Sequence, residues 1–127
     1  MPNDLLSRPL IEIARDLRDK RASARELTEA AIARHERFEE RLHAYSLWAP
    51  EQARAVADAA DAAFAAGVSV GPLQGVPVSL KDLFAAAGYP CFAGSSDSAG
   101  ERSKFATARP RNPLCTWAFL KTYSKNA

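Results

Sequence analysis

Gly71-Pro72-Leu73-Gln74-Gly75-Val76-Pro77-Val78-Ser79-Leu80-Lys81-Asp82 is the stretch on which the reading of this chain turns. It passes from loop to strand to charge with no helical residue run between. Its first five residues, with two glycines and a proline, are loop chemistry. Val76–Leu80 is short, apolar and β-branched, and reads as a strand. Pro77 has no N–H to give a ladder, so that position must face a sheet edge or a bulge. Lys81 and Asp82 then place charge directly after the apolar run. A lone strand cannot satisfy its own backbone groups. Tyr89–Ala93 and Trp117–Leu120 are the segments that could pair with it, and Leu114–Leu120 reads equally as a short strand or helix.

Upstream of the stretch the texture is helical. Ser7 can cap a first helix with Pro9 in its first turn. Leu10, Ile13, Ala14 and Leu17 follow at the spacing of one helical face. After the polar break Arg18–Arg21, Ser23-Ala24-Arg25-Glu26 reads as a capping box, in which serine and glutamate each satisfy an orphan N–H. A second helix should run to about Leu42, with Leu27, Ala31, Phe38 and Leu42 as its buried face. Pro50 opens a third, alanine-rich helix ending before Gly67. Alanine's propensity supports it, and Ala53, Val56, Ala57, Ala60, Ala63 and Phe64 mark its face. Small side chains there predict close packing against a neighbour, or only a thin buried stripe. Downstream, Leu83–Ala87 ends at Gly88 and Pro90, and Gly94–Gly100 is another loop. Three helices and one strand give an α/β class that is unfinished within these residues.

The chain has 127 residues, room for a single domain. Hydrophobic residues at 47% and charged residues at 25% argue against general disorder. No apolar run approaches the roughly 20 residues of a membrane span. Met-Pro-Asn-Asp leads into no apolar stretch, so no secretory signal is expected. Two cysteines, Cys91 and Cys115, are too few for a disulfide framework or a four-cysteine zinc site, and a cytoplasmic compartment is the expectation. The net charge of +2 hides an asymmetry. Residues 98–127 carry six basic groups and one acid, Glu101, whereas residues 1–97 carry 11 basic and 14 acidic groups.

Several residues invite a chemical reading and have a plainer one. His35 and His43 lie eight apart on a helix, too far to share a metal readily, and read as surface or half-buried side chains. Gly94-Ser95-Ser96-Asp97-Ser98 lacks the second glycine of a nucleophile elbow and reads as a solvated loop. Cys91 has no basic neighbour and reads as a structural thiol. Lys81 keeps two readings. One is a strand-end lysine whose head reaches water. The other is a lysine whose pKa is depressed by burial, so that it can act as a base. Free lysine titrates near 10.4, so about one in 2,500 is neutral at pH 7; a general base needs that lowered by some 3 units, about 4 kcal/mol. A complete, water-excluding site can supply that.

Residues 71–82, continuing through Ala87-Gly88-Tyr89-Pro90 to Ala93-Gly94-Ser95, resemble the amidase signature family. Its G-P-L-x-G-[VI]-P-x-x-x-K-D segment carries a catalytic lysine, and an A-G-x-P-x-x-A-G-S follows. Ser23–Leu27 and the alanine-rich helix look like that family's N-terminal helical region. The resemblance covers about residues 7–98. It implies a large α/β domain around a mixed sheet, of which this chain holds the N-terminal helices and first strand. It implies hydrolysis or acyl transfer of a small-molecule amide by a Ser–Ser–Lys triad, without metal or cofactor. Lys81 matches the lysine and Asp82 a structural position. The two serines belong to a G-G-S-S-G-G segment absent from this chain; Ser95 and Ser96 match an earlier segment and are not assigned as nucleophiles. Residues 1–97 are therefore expected to be the N-terminal part of an amidase-signature domain. Residues 98–127 are expected to be a non-family basic tail, from a shifted reading frame or a truncated end. Without the serines the chain alone should be inactive. The rival reading is a small helical binding module whose basic tail, with Trp117, Phe119 and Tyr123, contacts nucleic acid.

Overall fold

The computed structural model describes residues 4–82, Phe84 and, by backbone alone, residues 119–122. Its elements are a 3-10 turn at Leu5–Ser7, then α1 (Leu10–Arg18), α2 (Ala24–Leu42), β1 (Tyr45–Leu47), α3 (Pro50–Ala65), β2 (Val78–Lys81) and β3 (Phe119–Thr122). Among the expected features, Tyr89–Ala93, Cys91, Gly94–Gly100, Cys115, Trp117 and Tyr123 lie outside the described residues.

Each helix boundary has a local cause. Asp4 caps the 3-10 turn, accepting from the Leu6 N–H at 3.1 Å, and Ser7 donates its hydroxyl to the same carboxylate at 2.9 Å. Ser7 is therefore not the cap of α1, which begins after Pro9, whose carbonyl takes the Glu12 and Ile13 N–H groups. The capping box of α2 is present in full. Ser23 Oγ accepts from the Glu26 N–H at 3.0 Å and the Glu26 carboxylate accepts from the Ser23 N–H at 2.9 Å. At the other end His43 adopts the left-handed conformation (φ 45°) and donates its N–H to the Glu39 carbonyl. The Glu39 carboxylate takes the next two, Ala44 and Tyr45 N–H, at 3.1 and 3.0 Å. That fixes where β1 starts.

The core lies between the helices. Ile13 and Leu17 of α1, Ala24 and Leu27 of α2, Ala57, Ala60 and Phe64 of α3, and Val76 form one cluster, against which Leu5 and Leu6 pack. Leu17 is 1% exposed and Leu27 2%. Of the expected core positions, Ala31, Phe38 and Val56 are only half-buried, and two are exposed. Leu10, in the first turn of α1, is 51% exposed, and Leu42, at the end of α2, is 62% exposed. The buried face of α2 is Ala24, Leu27, Thr28 and Ile32, its N-terminal half. The C-terminal half of α2 instead meets the segment around β1, where His35 contacts Tyr45 and Trp48.

Val76 does not belong to a strand: it is buried with the helices, and β2 starts two residues later. Pro77 consequently removes no ladder donor. The strand has a partner, and a further strand, β1, joins them. The sheet order is β1-β3-β2, with β3 antiparallel to β1 and parallel to β2. Val78 pairs with Phe119, Ser79 with Leu120, Leu80 with Lys121 and Lys81 with Thr122. β3 overlaps the Trp117–Leu120 candidate. β1 has only three residues, Tyr45-Ser46-Leu47, too few for an apolar alternation to mark it in advance. The result is an α/β fold, a helical layer joined to a mixed sheet.

Candidate functional site

The signature stretch divides into a docked loop and a strand. Gly71 to Gly75 turns back on itself: the Gln74 N–H donates to the Gly71 carbonyl and the Val76 N–H to the Leu73 carbonyl. Gln74 is 3% exposed. Its amide oxygen accepts from the Val70 N–H at 2.7 Å, and its amide nitrogen donates to the Val68 carbonyl at 3.2 Å. A buried primary amide satisfied from both ends ties the α3–β2 connection into one unit. Gly75 has φ +76°, in the left-handed region that glycine occupies freely.

Lys81 closes β2. Its side chain is exposed, and the Phe84 N–H donates to its carbonyl at 3.0 Å, turning the chain away from the sheet. Of its two readings, the strand-end one describes its position in these residues: a lysine at a strand end, open to water. Asp82, in contrast, is 4% exposed. Along the segment Pro72 and Leu73 are exposed, Gln74 to Val76 are buried, β2 alternates between half-buried and exposed up to Lys81, and Asp82 is buried.

The charged groups near α2 and α3 are structural. Asp61 of α3 accepts from the Ala24 and Arg25 N–H groups at 2.7 and 3.0 Å, a second cap on the first turn of α2. Glu29 binds Arg54 through two nitrogens, at 2.8 and 3.1 Å, and Arg25 at 2.8 Å. Hydrogen bonds from Arg54 first, then Arg25, hold the Glu29 carboxyl down to about 2 from 4.5. Asp16 sits between Arg21 (2.8 Å) and Arg8 (2.5 Å), whose hydrogen bonds lower its pKa. His35 and His43 are not brought together at a site. The His35 ring stacks on Trp48 (centroids 3.5 Å apart, planes 8° apart) and meets Tyr45 at 5.2 Å, while His43 ends α2. Neither this cluster nor the Asp61 cap is legible in the sequence. The cap's two halves are 37 residues apart, and no local pattern announces such a pairing. The serines Ser95 and Ser96 lie outside the described residues, as do most of the basic groups after Gly100. No helix among the described residues is long and apolar enough to cross a membrane.

Helices joined to a mixed sheet, with a glycine- and proline-bounded loop feeding a strand that ends in lysine, make an α/β arrangement. A family model described as Amidase matches residues 26–108. The chain belongs to the amidase family. It is 41% identical over 92 residues to a 2-amino-5-chloromuconic acid deaminase of Comamonas testosteroni, covering 72% of this chain and 20% of that protein. It is 51% identical over 83 residues to one component of the glutamyl-tRNA(Gln) amidotransferase of Granulibacter bethesdensis, covering 65% and 16%. Among solved structures, a bacterial aryl acylamidase of the amidase signature family superposes with a TM-score of 0.72 at 30% identity, over 92% of this chain and 25% of that one. The peptide amidase of Stenotrophomonas maltophilia shares the fold, with a TM-score of 0.74 at 23% identity, over 94% of this chain and 25% of that one. The chain thus spans about a fifth of the curated relatives it matches and a quarter of the structural ones.

Proposed function

We propose that this chain is the lysine-bearing part of an amidase, an enzyme that hydrolyses a small-molecule carboxamide or transfers its acyl group. The observation that carries the reading is the position of Lys81. It ends β2 directly after Gly71–Pro77, inside the matched residues 26–108. The names of two relatives, an amidotransferase and an aryl acylamidase, share amide-nitrogen chemistry.

In this reading a serine attacks the amide carbonyl, a second serine bridges it to Lys81, and Lys81 takes the proton and returns it to the leaving amine. Backbone N–H groups stabilise the oxyanion. The glycine- and serine-rich segment that supplies both serines is not within these 127 residues. On its own, then, the chain holds the base and not the nucleophile, and hydrolyses no amide. The exposure of Lys81 fits that state, because the desolvation a neutral lysine needs must come from further chain. The exposed Leu10, Ile11, Leu42 and Phe84 fit it too. The division into an amidase part at 1–97 and a basic tail at 98–127 is part of the proposal. The family match continues to residue 108, and β3 is drawn from beyond it.

Reading the coding DNA from codon 90 onward in all three frames tests this. The expected result is a frame that continues the family likeness and reaches a Gly-Gly-Ser-Ser-Gly-Gly segment. The product restored to that frame should hydrolyse a simple carboxamide, and Lys81→Ala should abolish it. No such segment in any frame, or full activity in Lys81→Ala, overturns the assignment.

A further inference from the structure

The strand that carries Lys81 is anchored by residues outside the signature stretch. The α2 N-terminus is held twice, by its own capping box and by Asp61 reaching across from α3. The second hold fixes Ala24, which is 0% exposed. Ala24 in turn forms one wall of a notch into which Gly75 fits. A Cβ on Gly75 would stand 2.9 Å from the Ala24 Cβ, 3.3 Å from Phe64 Cε2 and 3.6 Å from the Ala60 Cβ. Ala60 is 0% exposed and directly precedes Asp61. Gly75 therefore lies tight against both helices. On one side of it Gln74 locks the loop; on the other, Val76 enters the core and β2 begins. Only Val76 and Pro77 separate the notch from the strand, and neither offers a hinge: one is packed and the other has a fixed φ.

We propose that Gly75 and Asp61 are positioning residues for Lys81, acting as one anchor: Asp61 seats Ala24, Ala24 seats Gly75, and Gly75 sets where β2 starts and so where Lys81 ends. The importance of that placement rests on the reading of Lys81 given above; the anchor itself does not.

The test is made on the full 127-residue chain by following the amide N–H cross-peaks of residues 78–81 in nitrogen–proton correlation spectra. Loss of global stability alone does not displace native-state peaks, so a merely structural role would leave them in place. In Gly75→Ala the peaks of residues 78–81 should move by more than a linewidth, and their hydrogen exchange should rise at least tenfold. The α1 peaks of Ile13 and Leu17 should stay within a linewidth. Asp61→Asn adds no bulk and leaves one acceptor for two N–H donors. It should move the same peaks in the same direction by less, which keeps the test open should Gly75→Ala not fold. Unmoved β2 peaks in Asp61→Asn, or exchange that rises equally in α1 and β2, overturns the anchor. An active Lys81→Ala in the frame-restored enzyme, with the β2 peaks still displaced by Gly75→Ala, overturns the catalytic reading and leaves the anchor standing.

Discussion

The helical layer and the sheet are built from different kinds of information. In residues 4–66 several helix ends are satisfied from nearby: Asp4 with Ser7, Ser23 with Glu26, His43 with Glu39, and the long reach of Asp61 to Ala24 is the exception. The core there runs from Ile13 to Phe64 and takes in only Val76 from outside that range. The sheet is the reverse. β2 is four residues long and depends on β3, about 40 residues further on, and through β3 on β1. A local cap costs little chain entropy to form; a distant strand pair requires a long loop to close first. The comparison teaches that the part of the fold bearing the proposed chemistry is the part least able to stand by itself.

The strongest attack on the helical half is at Leu17. It is 1% exposed, at the centre of the cluster. Leu17→Ala should cost roughly 2–5 kcal/mol, read as a lowered denaturant midpoint by helical circular dichroism. Should the loss fall below about 1 kcal/mol, the helices are not the self-sufficient unit described. The matching attack on the sheet is to end the chain at residue 118, removing β3. The helical signal and midpoint should hold within error, while amide protection at Val78–Lys81 falls at least tenfold. A midpoint that drops with β3 would show the two halves to be one cooperative unit.

The same contrast explains what could be read from residues alone. The capping box and both ends of α3 follow from spacings within one or two helical turns, and they stand where expected. A strand leading to Lys81 is also legible, because a β-branched run after a glycine–proline loop is a local signal, although it begins at Val78 rather than Val76. Legibility ended where contacts became distant. Leu10 and Leu42 share the apolar period of their helices, yet periodicity does not reveal how far a neighbouring helix extends. Ser7 has the look of a cap because serine shortly before a helix usually is one; Asp4, three residues earlier, claims its hydroxyl for a separate turn. Lys81 stands out through its motif, while Asp61 and the notch around Gly75 need the fold, since Ala24, Ala60 and Gly75 are ordinary small residues in sequence.

A smaller effect tests the redundancy of the α2 N-terminus. Ser23→Ala removes the acceptor for the Glu26 N–H, a change typically worth about 1 kcal/mol. Asp61 still holds the Ala24 and Arg25 N–H groups, so the loss should fall in the lower half of the usual ~0.5–2 kcal/mol range. In an Asp61→Asn background the same substitution should cost more than it does alone, measured as a double-mutant cycle. Strict additivity would mean that the two caps do not share the helix end.

The smallest effect concerns the ion pairs joining α2 to α3. Glu29 has a folded pKa of about 2 against 4.5 for a free glutamate, chiefly through its hydrogen bonds from Arg54. The folded pKa is the lower one, so the unfolded chain binds the extra proton as pH falls. The contribution of Glu29 is therefore complete above about 4.5 and is lost progressively between 4.5 and 2. Glu29→Gln should lower stability at pH 7, modestly because the pair is open to solvent and screened, and its curve should meet that of the parent chain as the pH falls towards about 2. Asp16, lowered by Arg21 and Arg8, gives a second contribution of the same sign, so the limb should shrink in Glu29→Gln without vanishing. Thermal midpoints recorded across about pH 2–6 for the parent chain and Glu29→Gln decide it. Parallel curves would mean that Glu29 does not hold the helices together in solution, leaving that contact to the alanine face of α3, the Asp61 cap and the Arg25–Asp58 pair.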